Sequence, residues 1–123
     1  MQITKKHFKK LARQALVQLP EMFRPFVEKI TIVVEDFASD ELLDELDVPE
    51  DEDICGLYEG PSLTDGDLDH LPEIPRIILY YVPLLEDCET EEELVHEIQV
   101  TVLHEIGHFF GLDEDKLAEL GYE

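Results

Sequence analysis

Tryptophan is missing from this 123-residue chain, and cysteine, methionine and basic residues are scarce. The two cysteines, Cys55 and Cys88, are too few for a disulfide-framed scaffold. They predict free thiols in a reducing, cytoplasmic setting. Nine basic residues against 31 acidic ones leave a formal charge of −22. A polyanion of that density is repelled by phosphate, which argues against nucleic acid as a partner and against anionic membrane surfaces. The longest uncharged apolar run, Ile77–Leu85, falls far short of the roughly 20 residues that span a bilayer. No unbroken apolar stretch follows the N-terminal lysines, so no signal peptide is expected.

What is present is a globular composition. Apolar types make up 44% of the residues, enough for one core in a single domain over 1–123. Charge is unevenly placed. Seven of the nine bases and only two of the 31 acids fall in residues 1–29, so that segment carries +5 and the remainder −27. Thr4–Leu19 has one apolar stripe through Phe8, Leu11, Ala12, Ala15, Leu16 and Leu19, which predicts a helix with Thr4 as N-cap and Pro20 as stop. Its lysines lie off the stripe, and this basic helix is expected to dock on the acidic body.

Further on, Glu21–Val27 reads as a short helical turn, and Lys29–Glu35 as a β-branched strand. Asp40–Leu46 reads as an acidic helix capped by Ser39 or Asp40, and Asp47–Asp53 as a solvated loop without calcium-loop spacing. Ile54–Tyr58 and Arg76–Tyr81 are two more strands, the second ended by Pro83, with a long polar connection over Ser62–Pro75. Thr90 followed by Glu93 is a capping box that opens the longest helix, which Gly111 ends. A short helix over Glu114–Leu120 closes the chain, with Gly121 behind it. The expected fold is α+β: a short mixed sheet of about three strands packed with the N-terminal helix and the long helix.

That long helix carries His104-Glu105-Ile106-Gly107-His108, an H-E-x-x-H pattern. By composition alone, roughly 0.03 such matches are expected in a chain like this, and the helical context lowers chance further. Residues four apart on a helix differ by about 40° in azimuth, so His104 and His108 leave one face and can converge on a zinc ion. Glu105 lies on the flank of that face, placed to take a proton from a water rather than to bind the metal. His96 is about 80° off this azimuth and is not expected to ligate. Glu97 is nearly in line but about 10 Å away along the axis, a surface position whose alternative role is to support a ligand from behind. Tyr80, Tyr81 and Tyr122 are candidate oxyanion donors whose alternative role is packing. His7 and His70 read as surface residues.

A third ligand is needed. Gly111 follows His108 by three residues, the spacing at which metzincins break the helix and return a ligand to the metal. That spacing selects Glu114, with Asp113 and Asp115 flanking it as alternatives. Only fifteen residues follow His108, and Met1 and Met22 are the only methionines, so no downstream Met-turn is available.

The chain resembles the minimal zincins, small bacterial zincin-like metallopeptidase proteins. The resemblance runs from Leu19-Pro20 through Gly56-Leu57-Tyr58-Glu59-Gly60, the Arg76–Tyr81 strand and Glu91-Glu92-Glu93-Leu94. It continues through His104-Glu105-Ile106-Gly107-His108-Phe109-Phe110-Gly111 to Glu119-Leu120-Gly121-Tyr122. It implies a zincin-like α+β fold reduced to its catalytic core, with His104 and His108 as zinc ligands and Glu105 as base. In that family an aspartate usually stands at the position of Glu114. The implied activity is a zinc-dependent metallopeptidase acting on a peptide or protein substrate, laid along an exposed strand edge such as Arg76–Tyr81. Two other functions stand beside it, the first using the same ligands and the second the acidic surface. One is a zinc-binding regulatory module without turnover, and the other is an acidic interaction protein that recognises basic partners.

Overall fold

The structure, a computed structural model, describes residues 1–60, 75–107 and 114–122. Helix α1 spans Lys5–Val17. The Thr4 side chain accepts from the His7 N–H at 3.1 Å, and Phe8, Leu11, Ala12 and Ala15 are buried. A 3-10 turn over Glu21–Phe23 leads into the short helix α2, Arg24–Val27. Strand β1 is Thr31–Glu35, and helix α3 is Asp40–Glu45, with the Ser39 hydroxyl accepting from the Leu42 N–H at 3.1 Å. Strands β2, Gly56–Glu59, and β3, Arg76–Tyr80, follow. Helices α4, Tyr81–Glu86, α5, Glu91–Gly107, and α6, Glu114–Glu119, complete the described elements.

The three strands form one mixed sheet in the order β1-β3-β2. Strand β3 runs parallel to β1, with Thr31 opposite Arg76 and Glu35 opposite Tyr80. It runs antiparallel to β2, with Gly56 opposite Leu79 and Glu59 opposite Arg76. Ile77 and Leu79 face α1 and α5, joining Phe8, Leu94, Ile98 and Leu103 in the main core. Ile78 and Tyr80 face the other way, against Ala38 and the partly buried Leu42, Leu43 and Leu57. Arg76–Tyr80 is therefore the central strand, covered on both faces, which is why it reads as a continuous apolar run. It is not an exposed edge, so a peptide has no free side of β3 to pair with; among the described residues the outer strands are β1 and β2.

Pro83 does not simply stop the strand. It sits in the first turn of α4, where its missing N–H leaves no intrahelical bond unmade. The capping box of α5 also differs in detail. Thr90 Oγ1 accepts from the Glu93 N–H at 3.1 Å, while the Glu93 carboxylate reaches past Thr90 to the Glu89 N–H at 2.8 Å. Helix α1 docks on α5 through its apolar stripe and through Gln99, whose buried amide donates to the Ala15 carbonyl at 2.8 Å. Among the described residues, its side-chain ties to the acidic body are the Lys5–Asp36 ion pair and the hydrogen bond of His7 with Glu91. No helix among the described residues is long and apolar enough to cross a membrane.

Gly56 sets the distance between β2 and α5. A Cβ there would lie 2.5 Å from Thr101 Cγ2 and 3.2 Å from the Ile78 carbonyl oxygen, so only glycine lets the strand come this close. Gly121 plays a different part, holding φ +92° at the end of α6. The Gly121 N–H reaches the Ala118 carbonyl at 3.0 Å and the Tyr122 N–H reaches the Leu117 carbonyl at 2.8 Å, a Schellman motif.

Candidate functional site

His104 and Glu105 lie in the last two described turns of α5, both half-buried, between Leu103 and Ile106, which are fully buried and hold the helix to the sheet. Glu105 points at β2. Its Oε1 accepts from the backbone N–H of Tyr58 at 3.3 Å, joining residues 47 positions apart. The Tyr80 N–H donates to the Cys55 carbonyl at 2.9 Å, so Cys55, Leu57 and Glu59 turn their backbone groups toward β3. By the alternation of an antiparallel ladder, the backbone groups of Gly56 and Tyr58 face away from β3, and Glu105 sits on that side of β2.

His104 Nε2 is buried, and no protein group among the described residues hydrogen-bonds to it. A buried imidazole nitrogen without a partner is costly in an interior where such atoms are nearly always satisfied. A nitrogen left bare in this way suits a metal ligand, and the adjacent Glu105 is a carboxylate already held to one side. His104 therefore fits a zinc site.

The other predicted site residues fall in three groups. His108, with Gly111 and Asp113, lies outside the described residues, as do His70 and the connection over 61–74. Glu114 is the first residue of α6 and is exposed, as is Asp115; α6 is anchored by the buried Leu117. Among the described residues no three His, Cys, Asp or Glu side chains form a group arranged to hold a metal ion.

The tyrosine candidates take packing roles. Tyr80 is fully buried on the sheet face that carries α3, and burial first, then nearby carboxylates, raises its pKa. The Tyr81 hydroxyl donates to the Ile3 carbonyl. Tyr122 stacks on the exposed His96 with ring centroids 6.3 Å apart. The tyrosine beside Glu105 is Tyr58, which sequence reading does not single out. Burial raises its pKa. Gly60, at φ +146°, gives its ring room, since a Cβ there would lie 3.2 Å from the Tyr58 hydroxyl. Its signal is its place in the Gly56–Gly60 segment, but nothing in the sequence pairs that segment with Glu105.

Cys55 and Cys88 are both free thiols. Burial first, then the charge of Asp87, pushes the Cys55 thiol up to about 12, and the Cys55 Sγ donates to Asp87 at 3.6 Å. Burial and then Glu97 push Cys88 up to about 11. Neither has the low pKa of a nucleophilic or ligating thiolate.

Comparison with known proteins agrees with this geometry. The protein is similar in fold to a conserved hypothetical protein from Thermus thermophilus, with 25% sequence identity and a TM-score of 0.54. That similarity covers 94% of this chain and 98% of the other. No curated protein matches the chain. The model of a family described as zincin-like metallopeptidase matches residues 27–122, which takes in the sheet, α5 and α6. With that match over most of its length, the chain belongs to the zincin-like metallopeptidase family.

Proposed function

We propose that this chain is a zinc-dependent peptidase, with His104, His108 and Glu114 as metal ligands and Glu105 as general base. The observation that carries this is the pairing of a bare, buried His104 Nε2 with a neighbouring carboxylate held at the edge of β2. Zinc, when bound, would supply Lewis acidity, polarising a substrate carbonyl and making water easier to deprotonate. Glu105 takes the proton from that water and then delivers it to the leaving amine. The side of β2 away from β3 orients the substrate, because the outward backbone groups of Gly56 and Tyr58 pair with an extended peptide by strand addition. Buried Leu103 and Ile106 fix the helix that carries both chemical side chains.

Glu114 is the ligand at the spacing three residues beyond Gly111, and its place at the start of α6 leaves the side chain on an exposed first turn. A combined assay tests the proposal: zinc content of the purified chain, and cleavage of a mixed peptide library. One zinc per chain with cleavage that chelators abolish supports a peptidase. One zinc with no cleavage of any peptide supports a zinc-binding module without turnover instead.

A further inference from the structure

We propose that the groove between α1 and the segment leading into β1 docks an acidic, apolar segment of a partner protein. The groove has a volume of about 530 Å³. Its floor is apolar, made by Leu16, Val27, Ile30 and Ile32, and Val17 stands at its side 67% exposed. It flanks β1, the sheet edge opposite the β2 edge that carries Glu105, so it is separate from the proposed catalytic site.

Charge selects the occupant. Lys9, Arg13 and Arg24 line the groove against a single acid, Glu28. The whole chain carries 31 acidic residues, yet no described carboxylate pairs with any of these three cations. Arg24 instead donates to the Val17 carbonyl at 3.2 Å, which holds its guanidinium beside the groove. In a chain of net charge −22, cations that could have been neutralised internally are left together around an apolar floor. A segment carrying Leu, Ile or Val side chains for the floor and several carboxylates for the rim is complementary to this surface. One carboxylate on an alkyl chain would answer only one of the three cations. An anionic membrane or nucleic acid spreads its charge beyond the groove and meets repulsion from the −27 carried by the rest of the molecule, whereas a short acidic segment can lie wholly among Lys9, Arg13 and Arg24.

The test uses the full chain and a fluorescein-labelled peptide of alternating leucine and glutamate, followed by fluorescence anisotropy at low salt. The expected result is saturable binding that weakens as salt rises, since rim ion pairs are screened. The double variant Lys9→Glu/Arg13→Glu and the single variant Val17→Asp should each weaken binding at least about tenfold, with unchanged thermal unfolding. A serine–glutamate peptide of the same length should not bind. The proposal is overturned if the leucine–glutamate peptide fails to bind, or if it binds all three proteins equally. It is also overturned if dodecanoate saturates the groove while the peptide does not. Concentration-dependent dimerisation abolished by the same variants, without peptide binding, would assign the groove to a second copy and overturn it too. None of these outcomes depends on zinc or on peptidase activity.

Discussion

The Glu105 carboxylate is bound to the backbone N–H of Tyr58, at 3.3 Å, so the proposed base is held by the strand proposed to receive the substrate. The bond ties two elements that nothing local connects: the C-terminal end of α5 and the second residue from the end of β2. A peptide that pairs with the side of β2 facing away from β3 must share or displace this contact. In the proposed mechanism, substrate binding at that N–H group would release Glu105 toward water.

The spacing behind that bond depends on Gly56. Replacing it with alanine puts a Cβ 2.5 Å from the short, branched side chain of Thr101, so either β2 or α5 must move. Gly56→Ala should lower stability by about 1–3 kcal/mol, as overpacking does. It should also lower hydrolysis more than the stability loss explains, because Glu105 loses its register with Tyr58. Urea unfolding followed in parallel with peptide cleavage checks both. A stable variant with wild-type cleavage would show that the close approach does not matter.

Much of the architecture is legible in the sequence, and the exceptions have local causes. The helices α1 and α5 are readable because an apolar stripe and a capping residue agree at each: Phe8 to Ala15 behind Thr4, and Leu94 to Ile106 behind Thr90. Gly121 marks the end of α6 for the same reason, since a left-handed residue is needed there. Helix α4 escapes a sequence reading because Pro83 looks like a strand terminator, and the same residue is also acceptable in a helix's first turn. Strand order is not legible. The run Ile77–Tyr80 signals burial on both faces, but Arg76 and Tyr81 at its ends resemble an exposed strand. Of the site, the H-E-x-x-H spacing names His104 and Glu105 directly. The Tyr58 contact cannot be found that way, because it depends on how β2 pairs with β3.

Zinc ligation should follow the histidines. His104→Ala and His108→Ala should each abolish stoichiometric zinc, measured by elemental analysis after dialysis against metal-free buffer. Because ligation requires neutral imidazole, zinc affinity should fall as the solution is acidified. Retention of one zinc per chain in both variants would refute the assignment.

The third ligand is open to a direct comparison. Asp113→Ala, Glu114→Ala and Asp115→Ala, titrated with zinc under identical conditions, should rank with Glu114→Ala the weakest binder. A larger loss at either neighbour would move the ligand by one residue.

The thiols supply a prediction on pH. Cys55 and Cys88 are held at about 12 and about 11 in the folded chain, against an ordinary value of 9.0 that they regain on unfolding. Below pH 9.0 both states keep these protons and stability is unaffected. Above it the unfolded chain loses protons that the folded chain retains, so stability should fall as pH rises toward 11 to 12. Thermal unfolding across that range should be less pH-sensitive in Cys55→Ala than in the parent chain. Both thiols should also alkylate slowly at neutral pH in the native protein and count as two after denaturation without reductant.

The most direct test of the peptidase account is cleavage of a peptide library by the zinc-loaded parent chain and by zinc-loaded Glu105→Gln, measured side by side. Glutamine keeps the shape of the side chain but cannot take a proton. The account predicts one zinc per chain in both proteins and a rate about 10²–10⁴ lower in the variant. Equal cleavage by the two proteins would contradict it, because the base would then have to be another residue.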